Sequence, residues 1–184
     1  GIARAAIEGT QIPFPVLRRY ARRRLVGLDY TPQRKRAPLV LKWQREYFGF
    51  ELESWTETIK EFPPELVEEA RSTLAGALAR GDAQHAAVHR NHAAIEEIRE
   101  LYRRSGGKTP RLDQADLAAF YKRQLDEQQV HSLQSFRDAQ LVVRVEEFVP
   151  AKLRRQLRAL PLAVLVRGQK VPVEYDVEEW TPPA

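Results

Sequence analysis

Cysteine and methionine are both absent from the 184 residues of this chain. Without cysteine there is no disulfide framework, no thiolate metal site and no thiol nucleophile, a composition that fits a cytoplasmic protein. Without methionine, even at position 1, the chain reads as a fragment of a larger protein. Long hydrophobic runs are missing too. The longest apolar stretches, LVVRV at 141–145 and LAVLV at 162–166, fall far short of the roughly 18 residues of a spanning helix, so no membrane partner is expected. The N-terminus shows no basic-then-apolar secretory pattern, and no serine sits in a nucleophile elbow. What is present is an ordinary globular composition, 43% hydrophobic, enough for one sizeable core or two small ones.

Charge is spread unevenly. The formal total is +5, yet residues 1–45 hold eleven Lys/Arg against only Glu8 and Asp29, so this end carries +9 and the remainder −4. Such polarity suits a polyanionic partner, although a solvated basic face produces the same count. Within it, RRYARRR (18–24) and QRKR (33–36) surround two tyrosines. Arg18, Arg19, Arg22, Arg23, Arg24, Arg34, Lys35 and Arg36 are candidates to fork onto phosphates, and Tyr20 and Tyr30 to stack on unpaired bases. Tyr20 suits a core position equally well, and arginine clusters also line protein interfaces. Smaller basic groups lie at Arg103, Arg104, Lys108 and Arg111, and at Lys152, Arg154, Arg155 and Arg158.

Punctuation and period predict a mainly α fold: a helical body with a small C-terminal β-hairpin or sheet element. Residues 1–50 read as a basic segment, 51–160 as a helical domain and 161–184 as hairpin and tail, together one compact unit. Pro13 and Pro15 open a helix near Val16, with Leu17, Tyr20 and Ala21 inward and Arg18, Arg19, Arg22 and Arg23 outward. GLDYTPQRKRAP (27–38) reads as a loop, and Pro38 as the start of a helix through Trp43, Tyr47 and Phe48. Pro63-Pro64 precedes a helix closed at Gly81. Asp82 caps the next, which runs to Gly106-Gly107, and Asp113 caps a third that buries Leu117, Phe120, Tyr121 and Leu125. Around Gly168-Gln169 the period changes to two. Val171, Val173, Tyr175 and Val177 alternate with Pro172, Glu174, Asp176 and Glu178, a hairpin with one wet face.

Three patterns invite a catalytic or ligand-binding reading. Gly107-Lys108-Thr109 ends like a phosphate-binding loop, but Tyr102 occupies the first-glycine position, the preceding residues have a helical period, and Pro110 opposes a following helix. A helix stop explains the glycines better. His85, His89 and His92, with Glu96, fall on one helical stripe, which has no HExxH base and no evident further ligand to close a tetrahedral site. The Glu/Asp runs lie in first turns or on outer faces, where dipole and solvation account for them. No catalytic residue and no metal ligand is therefore assigned to this chain.

The run NHAAIEEIRELYRRSGGKTPRLDQADLAAFYKRQL (91–125), with its basic helix end, short linker, acidic cap and Phe120-Tyr121 pair, resembles the C-terminal extension of bacterial DEAH-box (HrpA-type) ATP-dependent RNA helicases. LPLAVLVRGQKVPVEYDVEE (160–179) is similar to the short β segment near the end of that extension, and the likeness covers roughly 45–179. It implies a non-catalytic accessory region beside the motor, contacting RNA or ribonucleoprotein and modulating the motor domains of the same chain. ATP and Mg²⁺ would belong to that motor, since no Walker A loop or DEAH sequence occurs here. The alternative is an interaction module that docks on the motor or another protein without touching RNA.

Overall fold

A computed structural model describes residues 12–177, so Glu8, Glu178 and the tail lie outside it. The chain divides into two compact units, Gly1–Lys60 and Glu61–Ala184. The first is not helical as expected. Among its described residues a short helix, α1 (Phe14–Tyr20), precedes a three-stranded antiparallel sheet, β1 (Arg22–Tyr30), β2 (Leu39–Tyr47) and β3 (Phe50–Thr58), in the order β1-β2-β3. With the hairpin of the second unit, this makes the protein mixed α and β rather than mainly α.

The physical reasons lie in the side chains. In β2, Leu41, Trp43, Arg45 and Tyr47 alternate with Lys42, Gln44 and Glu46, a period of two, and β-branched and aromatic residues suit a pleated surface. Pro38 therefore precedes a strand, not a helix. Trp43 and Trp55 face each other across β2 and β3, their rings stacked at 6.5 Å and 15°, which pins the register. Helix α1 stops at Tyr20 because Ala21 is already extended, so Arg22–Arg24 continue as strand and pair with Gln44–Glu46. The expected loop at 27–38 shrinks to 31–38, closed by the Thr31 amide donating to the Pro38 carbonyl at 2.7 Å. An irregularity between Leu25 and Gly27 interrupts the alternation of β1. Tyr30, Leu39, Val40 and Leu41 are buried at the far end of the sheet.

The second unit follows the helical pattern closely. A 3₁₀ turn at Pro64–Leu66 leads into α2 (Val67–Arg80), followed by α3 (Ala86–Arg104) and α4 (Gln114–Glu127). Gly81, at φ 81°, ends α2 in the left-handed conformation open to glycine. Asp113 and Asp116 form a reciprocal capping box on α4, whose Leu117, Phe120, Tyr121 and Leu125 are all buried. The cap of α3 differs from expectation: His85, not Asp82, accepts the Ala87 amide on its imidazole, while Asp82 pairs with Arg80. Short helices α5 (Leu133–Asp138), α6 (Val145–Phe148) and α7 (Ala151–Arg158) complete the body. The core includes Leu74, Ile98, Leu101, Leu125 and Leu141, each essentially fully buried and each contributing about 2 kcal/mol by area.

The hairpin β4 (Ala163–Val166) and β5 (Gln169–Pro172) stands where the period changes. It ends at Pro172, and the Val173 amide donates to the Leu162 carbonyl at 2.9 Å. Within the hairpin no single wet face is seen, because Val164, Leu165, Val166 and Val171 are all exposed, but beyond it the expected alternation holds, with Val173, Tyr175 and Val177 half-buried and Glu174 and Asp176 exposed.

Candidate nucleic-acid interface

The basic segment and the sheet build one groove within the first unit. Tyr20 at the end of α1, Arg22, Arg23 and Arg24 on β1, and Glu46, Tyr47, Phe48 and Gly49 at the β2–β3 turn line a volume of about 650 Å³. The turn is a two-residue hairpin connection, Tyr47 pairing with Phe50, with Phe48 at φ 49° and Gly49 at φ 83°. Positive φ at both central residues is the type I′ turn, whose hand matches the strand twist and which favours Asn-Gly or Gly-Gly. Phenylalanine in the left-handed region is strained, by roughly 1–2 kcal/mol. Its ring is 86% exposed, touching Tyr47 edge-on at 4.8 Å, and Phe50 beside it is 73% exposed. Tyr20, a candidate for either core or surface, is on the surface.

The arginines are not equivalent. Arg23 meets the Glu57 carboxylate through two 3.0 Å hydrogen bonds and lies 3.8 Å over the Trp43 ring. Arg18 pairs with Glu53 at 3.3 Å, Glu53 is shared with Arg45, and Arg24 makes a looser 3.6 Å pair with Glu46. These carboxylates come from 46–57, beyond the segment whose charge looked so lopsided. Counted over residues 1–60 the surplus falls to +6. Among the described residues no carboxylate lies within pairing distance of Arg19 or Arg22, and both are exposed. Arg22 and Arg24, two apart on one strand, share a face, whereas Arg23 turns to the other. On the loop, Arg34, Lys35 and Arg36 are exposed, and Arg34 donates to the Thr56 hydroxyl at 3.2 Å.

Tyr30 does not join this group. It is 5% exposed at the end of β1, a core residue rather than a stacking platform. Arg103 and Arg104 belong to the second unit and both clamp Glu100, at 2.6 and 2.8 Å. The Arg104 guanidinium first, and Arg103 second, hold the Glu100 carboxyl below its ordinary range. Arg104 also donates to the Leu157 carbonyl, so its role is to tie α3 to α7. Lys108 is exposed, but its amide and that of Thr109 both donate to the Ser105 hydroxyl, at 3.0 and 3.1 Å. Those amides cradle a side chain of their own helix end, and Gly106 and Gly107, at φ 61° and 79°, turn the chain away. A further hollow lined by Arg99, Arg103 and Arg111 also contains Asp113 and Asp176, so its charge is mixed.

The histidine stripe comes apart in the same unit. His85 is buried at the cap of α3, its ring 5.0 Å from that of Phe136, while His89 and His92 are exposed on the helix. Among the described residues no three His, Cys, Asp or Glu side chains converge on a metal position. No helix of the described residues is long and apolar enough to cross a membrane.

The sequence reading missed Tyr47, Phe48 and Phe50. Their signal was EYFGF, aromatics flanking a glycine between alternating runs, which reads as a hairpin turn once β2 is recognised. Comparison with protein-family models, with curated proteins and with solved structures returns no match.

Proposed function

We propose that this chain is a non-catalytic region that contacts RNA or ribonucleoprotein, accessory to the motor of an ATP-dependent RNA helicase in a cytoplasmic setting. The observation that carries the RNA contact is the groove in which Tyr20, Tyr47 and Phe48 stand beside Arg22 and Arg24. Aromatic rings beside guanidinium groups, Arg22 without a carboxylate partner among the described residues and Arg24 only loosely paired with Glu46, are what a single-stranded polyanion needs. The helicase setting rests on the resemblance of 91–125 and 160–179, and ATP and Mg²⁺ belong to the motor.

The test follows from the pairing pattern. Reversing Arg18 or Arg23 would break the closer pairs with Glu53 and Glu57, whereas Arg22→Glu/Arg24→Glu loses only the looser 3.6 Å pair of Arg24 with Glu46, so it is the informative variant, with a thermal melt as folding control. RNA affinity is measured against salt. Loss of two phosphate contacts lowers the slope of log K against log salt by about 1.4 for a single strand. Unchanged affinity and slope remove the groove from RNA binding. A second reading, docking on a protein, is favoured for the second unit by the exposed apolar hairpin of Leu162, Leu165 and Val166. It predicts binding to the motor domains with little salt dependence.

A further inference from the structure

Phe48 is where three ordinary explanations of a phenylalanine fail together. It is not a core residue, being 86% exposed. It does not serve the turn, because a type I′ turn takes Asn, Asp or Gly at this first central position, and Phe48 sits there at φ 49°. It does not anchor the β2–β3 register either, which Trp43 and Trp55 already set. A strained, bulky residue held in the open at the mouth of a groove points to a contact outside the fold.

Its neighbours say which contact. Tyr47 and Phe48 meet in a T-shaped contact, and Phe48 remains 86% exposed. The same groove carries Arg22, without a carboxylate partner among the described residues, and Arg24, whose 3.6 Å pair with Glu46 is solvent-exposed. An apolar ring alone would suit a protein pocket as well. A ring at the turn, beside two guanidinium groups on the neighbouring strand, suits an alternating ligand, flat and anionic in turn. An unpaired nucleotide has that form, its base presenting a π face and its phosphate a charge. In a duplex the base faces are stacked on one another, so phosphates, sugars and groove edges are on offer but no free π face.

We infer that Phe48 at the β2–β3 turn stacks on an unpaired base of a single-stranded nucleic acid whose flanking phosphates meet Arg22 and Arg24. This rests on the RNA-contact reading above and narrows it to single strands. The left-handed turn then has a purpose: it lifts the ring off the sheet, where a turn with a small residue would leave the groove without a stacking surface.

The full 184-residue chain is titrated with a fluorescein-labelled single strand of about ten nucleotides and with the corresponding blunt duplex. Phe48→Asn makes the turn Asn-Gly, the pair that this turn type prefers, so its melting temperature is expected to equal or exceed the wild type's. Its affinity for the single strand is expected to fall roughly 5- to 150-fold, the value of one base–aromatic stack, with duplex affinity unchanged. Phe48→Trp restores single-strand binding. If Phe48→Asn binds the single strand like wild type while Arg22→Glu/Arg24→Glu loses it, the stacking inference is overturned and the RNA reading stands. A wild type that binds neither probe overturns both and hands the turn to a protein partner.

Discussion

Replacing Asn91 by alanine is expected to be among the most damaging single changes in the helical unit. The side chain is 2% exposed on α3, yet its polar atoms are occupied: Nδ2 donates to the Tyr121 hydroxyl at 3.1 Å and to the Leu141 carbonyl at 3.0 Å, and Oδ1 accepts the Val143 amide at 3.2 Å. The segment 140–144 has no regular structure, so its backbone groups depend on such partners. Leu141 and Val143 are themselves buried, and water cannot readily replace the lost amide. Two stranded backbone groups at about 1–3 kcal/mol each give about 2–6 kcal/mol for Asn91→Ala. At about 2–4 °C per kcal/mol for a chain of this size, the transition of the second unit drops by about 4–24 °C. Tyr121→Phe is the built-in comparison. It deletes one hydroxyl while Asn91 keeps Leu141 and Val143, so it costs about 1 kcal/mol. Urea denaturation followed by circular dichroism compares the two variants, and amide exchange at Val143 reports the local contact. Equal losses for the two variants, with Val143 still protected in Asn91→Ala, would refute the accounting.

Two other expectations concern the ends of α3. Burial, aided by the positive charge of Arg90, holds the His85 imidazole below its ordinary value despite an opposing pull from the Phe136 and Ala139 carbonyls, and its Nδ1 must be bare to accept the Ala87 amide. With the folded value below the unfolded one, this stability is complete above pH of about 6.5 and is lost as pH falls toward the folded value. His85→Asn, which keeps a cap without titrating, should flatten the stability profile between pH of about 7 and 5, and an unaltered profile would count against the cap. At the other end, a Cβ on Gly107 would sit 3.2 Å from Val177 Cγ1 at φ 79°, whereas one on Gly106 meets open space at φ 61°. Gly107→Ala should lower the urea midpoint more than Gly106→Ala, whose cost of about 1–2 kcal/mol is the left-handed backbone alone; equal shifts would contradict the packing.

The helices were legible because their signals are local. Pro63-Pro64, Gly81, Asp113 and the Leu117–Leu125 stripe each act within a few residues, and each does in the structure what its chemistry requires. The sheet was hidden because its signals conflict. Pro13 and Pro15 do open α1, but Pro38 looks like another helix start and precedes a strand, and the irregularity near Gly27 breaks the alternation of β1. The electrostatics of the groove were less legible still. Arg23 finds Glu57 at 34 positions' distance, so a charge count that stops at residue 45 cannot register that much of its surplus is already answered. Asn91 escaped notice for the converse reason: a polar letter on the Ala87–Ile95–Ile98 stripe looks like an interruption until a backbone with unmet hydrogen bonds is placed against it.

Among the described residues, the order β1-β2-β3 gives β1 one neighbouring strand, β2, and so makes it an outer strand of this sheet. An open strand edge is a template for other chains, and charge and irregularity are the usual defences. Arg22, Arg23 and Arg24, followed by the break at Leu25/Gly27, place both on this edge. Like charge in the arginine run opposes pairing with a second strand along this edge, apart from the ligand contact proposed for it. Neutralising it would weaken two properties at once and confuse lost binding with self-association. Reversal to glutamate keeps the edge repulsive while changing what it attracts, which makes it the cleaner substitution.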